Sequence, residues 1–398
     1  MFTLTNSCVY MNNYPLINNN GQLNLCCKNR KYALPGNIKT HSLKEMFFSK
    51  KYEELREKML REEKLEGCDI CYSQESRNED SFRIRTLSKL KGKRRDLQPF
   101  SEIKISNLDL RIGSTCNLMC SMCHPSDSSK WHANYATFVR EVSQKSENHI
   151  NIVTSANSPN LLNWANYDSS WDNIFSSIDN DLNFVYIAGG EPFYIKKFPE
   201  YMSKLVSQAP NATIEINTNA TRLIELQNLQ KLKGKLQLRI SIDGYESMEE
   251  YQRAGTNWQQ KLEVINQYNE NFIISAFDIT LTSFTIRSLP ALVKFIESKY
   301  PDTTEILFRP VTNKNGQNIN NIPESLYKTT LNFCKELRKN GQSKYRNIDQ
   351  IISILESGYR DEKEYLKRFV TYWDSYTGIQ LADIDPELGD WIHADHSS

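Results

Sequence analysis

Cys116, Cys120 and Cys123 stand in the run Leu110-Arg-Ile-Gly-Ser-Thr-Cys116-Asn-Leu-Met-Cys120-Ser-Met-Cys123, with three and then two residues between successive thiols. Three thiolates on one compact loop can hold three irons of a [4Fe–4S] cube and leave the fourth iron without a protein ligand. An open coordination position is what a catalytic metal site needs, as open zinc sites show. The same spacing also fits a three-cysteine zinc knuckle with an outside fourth ligand, for which His124 is at hand.

Five more thiols precede this loop, and four of them form a candidate set: Cys8, Cys26 and the pair Cys68-x2-Cys71. Four thiolates complete a cube with no open iron, or a structural zinc site. Gly21, with four residues between it and Cys26, suits a tight hairpin turn that brings Cys8 and Cys26 together. Cys27 could replace Cys26, but only Cys26 satisfies the G-x4-C count. Cys334, flanked at helical spacing by Leu331 and Leu337, reads as a packed core residue. Eight of the nine cysteines lie in the first 123 residues. The N-terminus shows no secretory signal, so metal or cluster ligation is expected rather than a disulfide framework, and the compartment is expected to be the cytoplasm.

The elements that must position these groups are legible as alternating patterns. Leu108–Ile112, Phe184–Ala188, Thr213–Asn217, Leu238–Ile242, Ile273–Thr282 and Glu305–Phe308 are the strand candidates, with helical stretches at Phe198–Gln208, Lys261–Asn269 and Leu289–Lys299 between them. This alternation predicts an α/β fold, a parallel sheet curved into a full or partial barrel, with chemistry at the C-terminal ends of the strands. A long insertion, 124–181, follows the first strand, with helices expected around Ser129–Ser143 and Trp171–Ile178; such a segment is either a lid or a surface excursion. Ahead of the barrel, a strand near Cys8, another over Leu23–Cys27 and a helix N-capped by Ser42 and stopping at Gly67 form a small module. Four segments result: the module at 1–87, a basic linker at 88–102, the barrel at 103–312 and a helical C-terminal extension at 313–398.

Polar clusters follow several strands. Phe184–Ala188 runs into Gly189-Gly190-Glu191-Pro192, where glycines let a backbone approach a ligand and the carboxylate can accept from an ammonium group. Ile216-Asn217-Thr218-Asn219 and Ile240-Ser241-Ile242-Asp243-Gly244 end two later strands, and Arg253 and Arg309 follow as candidate clamps for a substrate carboxylate or phosphate.

Taken in this order, the C-x3-C-x2-C loop, the GGEP run, the Asn-Thr-Asn run and the SIDG run resemble the radical S-adenosylmethionine (SAM) superfamily over about residues 103–310. The resemblance implies a partial (β/α)6 barrel. In that family, Cys116, Cys120 and Cys123 would bind a [4Fe–4S] cluster whose unique iron is chelated by the amino and carboxylate groups of SAM. Reductive cleavage would then give methionine and a 5′-deoxyadenosyl radical that takes hydrogen from a substrate. Gly189, Gly190, Glu191, Asn219, Ser241 and Met122 would position SAM, with Ala220 standing where the family often has glycine. The C-x(n)-G-x4-C element and the later C-x2-C resemble SPASM or twitch modules, which implies a second, auxiliary cluster on Cys8, Cys26, Cys68 and Cys71. Here the module precedes the barrel, whereas the familiar arrangement puts most of it after. A zinc ion is the alternative occupant of this module.

The resemblance further implies a peptide or protein side chain, or a small metabolite, as substrate, and a low-potential electron donor such as a flavodoxin or ferredoxin. Composition argues against other classes. The 398 residues carry 49 Lys+Arg against 48 Asp+Glu, a net charge of +1. That balance does not suit a nucleic-acid binder driven by bulk charge. The basic run Ser88–Arg95 lacks interleaved aromatic residues and reads as a solvated linker. No run of 18 or more apolar residues suggests a membrane span. The rival reading is a non-catalytic, cysteine-rich zinc scaffold that binds nucleic acid through Lys89–Arg95.

Overall fold

The computed structural model describes residues 8–29, 31–32, 34–76, 81–86, 103–225, 232, 234–312, 316–341, 343–358 and 362–394. The basic linker at 88–102 lies outside the described residues. In chain order the strands are β1 Leu16–Ile17, β2 Leu23–Asn24, β3 Asn107–Arg111, β4 Met119–Cys120, β5 Phe184–Ala188, β6 Thr213–Thr218, β7 Leu236–Ser241, β8 Arg253–Ala254, β9 Ile273–Leu281, β10 Glu305–Pro310 and β11 Tyr345–Arg346. The chain gathers into two compact units, one from residues 1–114, 159–215 and 227–235, the other from 115–158, 216–226 and 236–398. Neither coincides with a single segment expected from the sequence.

In the first unit β1 pairs antiparallel with β2 and parallel with β3, and β3 pairs parallel with β5. The turn expected at Gly21 closes a hairpin, but its first strand is Leu16–Ile17 rather than a strand near Cys8: Leu16 faces Asn24 and Ile17 faces Leu23. Gly21 takes φ +83° in its turn, a conformation that favours glycine. The strand expected near Cys8 is instead a helical turn, Val9–Asn12. All four of its residues are buried, and so short a run carries no period by which to separate helix from strand. Ser42 caps as expected, its Oγ accepting from Glu45 N while Glu45 Oε2 accepts from Ser42 N. The helix breaks in two, Leu43–Phe47 and Lys50–Leu60, and ends well before Gly67. Buried Arg56 ties the second piece down: its guanidinium lies 4.3 Å from the Phe47 and Tyr52 ring centres, and Nε donates to Met11 O at 2.7 Å.

In the second unit β7, β9, β10 and β11 are parallel neighbours. β4 and β8 form a separate antiparallel pair with Cys120 opposite Arg253. The front of the insertion forms the helix Ser129–Phe138, which continues into a π-helical turn, Val139–Ser143, and closes at Gln144 in the left-handed region (φ +52°). The extension is helical, as expected: Glu324–Gly341, Ile348–Glu356, Lys363–Thr377, Leu381–Ile384 and Pro386–His393. Trp131, Phe138, Tyr251, Phe284, Phe369 and Trp373 share one apolar core. Burying each such ring contributes roughly 1.5–3 kcal/mol, so this extension is fastened by apolar burial. Cys334 is fully buried in its helix, as its apolar neighbours lead one to expect. Among the described residues no helix is long and apolar enough to cross a membrane.

Candidate active site and auxiliary metal centre

The three-cysteine loop is held at both ends and in the middle. Cys116 N donates to Ser129 Oγ at 3.2 Å, Trp131 Nε1 donates to Cys120 O at 2.8 Å, and Cys123 N donates to Cys120 O at 3.0 Å. Ser121 is bound to Gln252 twice, backbone to backbone at 2.8 Å and Oγ to Oε1 at 2.9 Å. Gln252 Nε2 in turn approaches Met122 Sδ at 3.6 Å. Two donors are aimed at the thiols themselves: Asn219 Nδ2 lies 3.9 Å from Cys116 Sγ, and Arg253 Nη1 lies 3.8 Å from Cys120 Sγ. Asn219 is steadied by Asn117 Oδ1 at 2.9 Å. A fixed amide and a fixed guanidinium stabilise thiolate charge, which is the state a cluster ligand must adopt. Without that charge neutralised by metal, the hydrogen bond to Cys123 and burial hold the Cys120 thiol well above its usual range.

Beneath this loop lies a buried ionic network. Arg253 Nε sits 2.7 Å from Asp243 Oδ2, and Asp243 Oδ1 accepts Thr280 N at 2.6 Å. Glu249 Oε2 accepts the N–H groups of Asp243 and Gly244 at 2.7 and 3.0 Å, while its Oε1 meets the Lys261 ammonium. Lys261 Nζ also donates to Ser241 O at 2.7 Å. Burial opposes charge on Glu249, yet Lys261 and Arg253 hold its carboxyl below the usual range. Gly244 has no room for a side chain, since a Cβ there would lie 2.7 Å from Glu249 N. Arg253 was expected to clamp a substrate; the structure places it in this network against the cysteine loop.

A second polar chain crosses β7, β9 and β10. Ser241 Oγ donates to Asn217 Oδ1 at 2.8 Å, and Asn217 Nδ2 reaches Asp278 Oδ2 at 3.3 Å. Asp278 is also paired with Arg239 at 2.9 Å and Arg309 at 2.8 Å. Arg309, the other clamp candidate, is half exposed while Arg239 is buried. Sequence reading missed Asp278, Arg239, Glu249 and Lys261. For Arg239 and Asp278 an available signal was a charge inside strands that otherwise read as apolar; Glu249 and Lys261 lie on helices, where a charge carries no such signal.

In the first unit Gly189 and Gly190 both take positive φ, +102° and +54°. A Cβ on Gly189 would stand 3.1 Å from Gly113 O, and one on Gly113 only 2.4 Å from Leu162 O. Glu191 is buried, and its Oε1 accepts Phe193 N at 3.2 Å to cap the turn Pro192–Tyr194.

Also in this unit, Cys8, Cys26, Cys68 and Cys71 line one cavity with Arg83 and Tyr72, while Cys27 does not. Asn29 Nδ2 donates to Cys68 Sγ at 3.2 Å and Lys28 N to Cys26 Sγ at 3.4 Å. Burial pushes the Cys8 thiol up to about 12 and raises Cys26 and Cys68 as well. Loading such a site must therefore release protons. A [4Fe–4S] cube, with irons at alternate corners, takes four thiolates from around a cavity, and these four line one.

Residues 110–296 match the family model of the Radical SAM superfamily, and residues 8–72 match that of the SPASM iron–sulfur cluster-binding domain. The chain thus carries a Radical SAM domain with a SPASM domain ahead of it. No curated protein matches it. Among solved structures it is similar to native anSMEcpe with bound AdoMet, at 16% identity over 64% of this chain and 68% of that one (TM-score 0.39). It is also similar to Streptococcus suis SuiB bound to the precursor peptide SuiA, at 13% identity over 66% of this chain and 52% of that one (TM-score 0.38).

As a radical SAM protein with an N-terminal SPASM domain, the chain takes SAM, a [4Fe–4S] cluster and an auxiliary iron–sulfur cluster as cofactors. The SPASM match spans all four of the first unit's cavity cysteines and favours iron–sulfur over zinc there.

Proposed function

We propose that this radical SAM protein uses Cys116, Cys120 and Cys123 to hold the SAM-binding cluster, and Cys8, Cys26, Cys68 and Cys71 to hold the auxiliary one. The observation that carries the first assignment is the pair of fixed donors, Asn219 and Arg253, aimed at two of the three thiols of one loop. When bound, a cube with one open iron supplies a seat for SAM and the electron that cleaves it to methionine and a 5′-deoxyadenosyl radical, which abstracts hydrogen from the substrate.

The chain's own residues bind, orient and exclude water. Arg253 and Asn219 stabilise thiolate charge at Cys120 and Cys116. The Gly189-Gly190-Glu191 turn offers close backbone approach and a carboxylate suited to the SAM ammonium. Ser241, fixed through Asn217, and Met122, fixed through Gln252, are the remaining SAM contacts. The substrate is a peptide or protein side chain or a small metabolite, with Arg309 at the exposed end of the Asp278 chain as a candidate contact. A low-potential flavodoxin or ferredoxin supplies the electron.

Anaerobically reconstituted protein incubated with SAM and dithionite is expected to release 5′-deoxyadenosine, and Cys120→Ala to release none. Equal product from both proteins would remove the assignment.

A further inference from the structure

A cleft of about 270 Å³ opens in the second unit beside the cysteine loop, with Cys123 as part of its wall. Cys116 and Cys120 do not line it. Its apolar floor is Trp131, Tyr135, Phe138 and Val139, all buried. The rings meet in mixed geometry: Trp131 and Phe138 edge to face at 5.1 Å, and His124 and Tyr135 likewise at 5.2 Å. Its polar rim is Ser143, Lys145, His149 and Tyr365, with Ser143 Oγ and Tyr365 Oη 2.9 Å apart. No carboxylate lines the cleft among the described residues.

The backbone that shapes this rim is unusual. The π-helical turn Val139–Ser143 widens the helix where it passes the floor, and left-handed Gln144 reverses the chain so that Lys145 follows at the rim. Single π turns and left-handed non-glycine residues each cost stability, and both concentrate at binding sites. The exposed Lys145 ammonium makes no hydrogen bond or ion pair with the described residues. Aromatic walls with a few convergent polar groups are the general form of a small-ligand site.

We infer that this cleft binds a small organic anion carrying an aromatic ring, the ring against Trp131, Tyr135 and Phe138 and the carboxylate or phosphate at Lys145 and His149. The acidic head is required by the cationic, carboxylate-free rim; the planar body is required by the floor. The site is assembled from the insertion and the helix Lys363–Thr377, and its occupant would sit against Cys123.

Calorimetry on the full, cluster-loaded chain tests this without passing through SAM cleavage. The probes are indole-3-acetate, phenyl phosphate and the uncharged indole-3-acetamide. At least one of the two acids should bind, with indole-3-acetamide at least about tenfold weaker than indole-3-acetate. Lys145→Met should weaken the acid about tenfold, and Lys145→Arg should restore most of the loss. Lys145 is exposed, so neither variant disturbs folding, and unchanged circular dichroism checks this. Failure of both acids to bind, equal binding of acid and amide, or an unchanged affinity in Lys145→Met would each overturn the inference.

Discussion

Arg253 touches both a carboxylate and a thiol, and its removal isolates a buried charge. With Asp243 fully buried and its guanidinium partner gone, Arg253→Met is expected to cost roughly 3–5 kcal/mol, read as a fall in the urea midpoint. Ala220 offers the opposite case. It sits at φ +53°, a conformation that costs an L-residue roughly 1–2 kcal/mol and glycine almost nothing. Part of that gain is returned through the freer unfolded chain, so Ala220→Gly should stabilise the protein by about 0.5–1 kcal/mol in the same measurement. The three-cysteine loop and the glycines of the GGEP run were legible because each lies within a few positions, whereas Cys8, Cys26, Cys68 and Cys71 are spread over the first 71 residues and were legible only through the G-x4-C and C-x2-C spacings. The partners of Arg253 were not, because the pairing of Asp243 and the burial of Lys261 arise only when separate elements close over them.

Strands and helices of the barrel were legible to within a few residues, since apolar β-rich runs alternate cleanly with amphipathic ones. Phe198–Gln208 and Leu289–Lys299 end where their patterns end. Val9–Asn12 and the break after Phe47 were missed, the first for want of a period and the second because Ser49 restarts a helix that the apolar stripe carries through without interruption. Between β7, β9 and β10 the charge chain adds a pH dependence. Burial opposes ionisation of Asp278, but Arg309 and Arg239 prevail and hold its carboxyl below the usual 3.8. A depressed folded pKa stabilises the fold above the unfolded value, and that contribution is lost as pH falls through the folded one. Below about pH 4 the wild type should therefore lose stability more steeply than Asp278→Asn, while at neutral pH it should be the more stable of the two, as paired denaturation curves would show.

At the scale of the molecule, two thiol sets reside in two separate units. Iron and sulfide analysis of anaerobically purified protein should give about eight irons per chain, and Cys68→Ala should reduce this to about four while 5′-deoxyadenosine formation persists in the folded fraction. About four irons with one zinc in the wild type would instead assign the first unit a purely structural ion. The order of the modules was legible from cysteine positions alone. The fastening of the C-terminal helices onto the insertion was not, because it is made by ring packing between segments more than 200 residues apart, as Trp131 and Trp373 are.

That same pair has an optical consequence. Trp131 donates to the carbonyl of Cys120 while stacking on Trp373 at 5.8 Å, so an emitting indole is wired to the loop that would carry a strongly absorbing chromophore. Assembly of the cube should darken this emission, giving a built-in gauge of cofactor insertion that needs no label and no turnover.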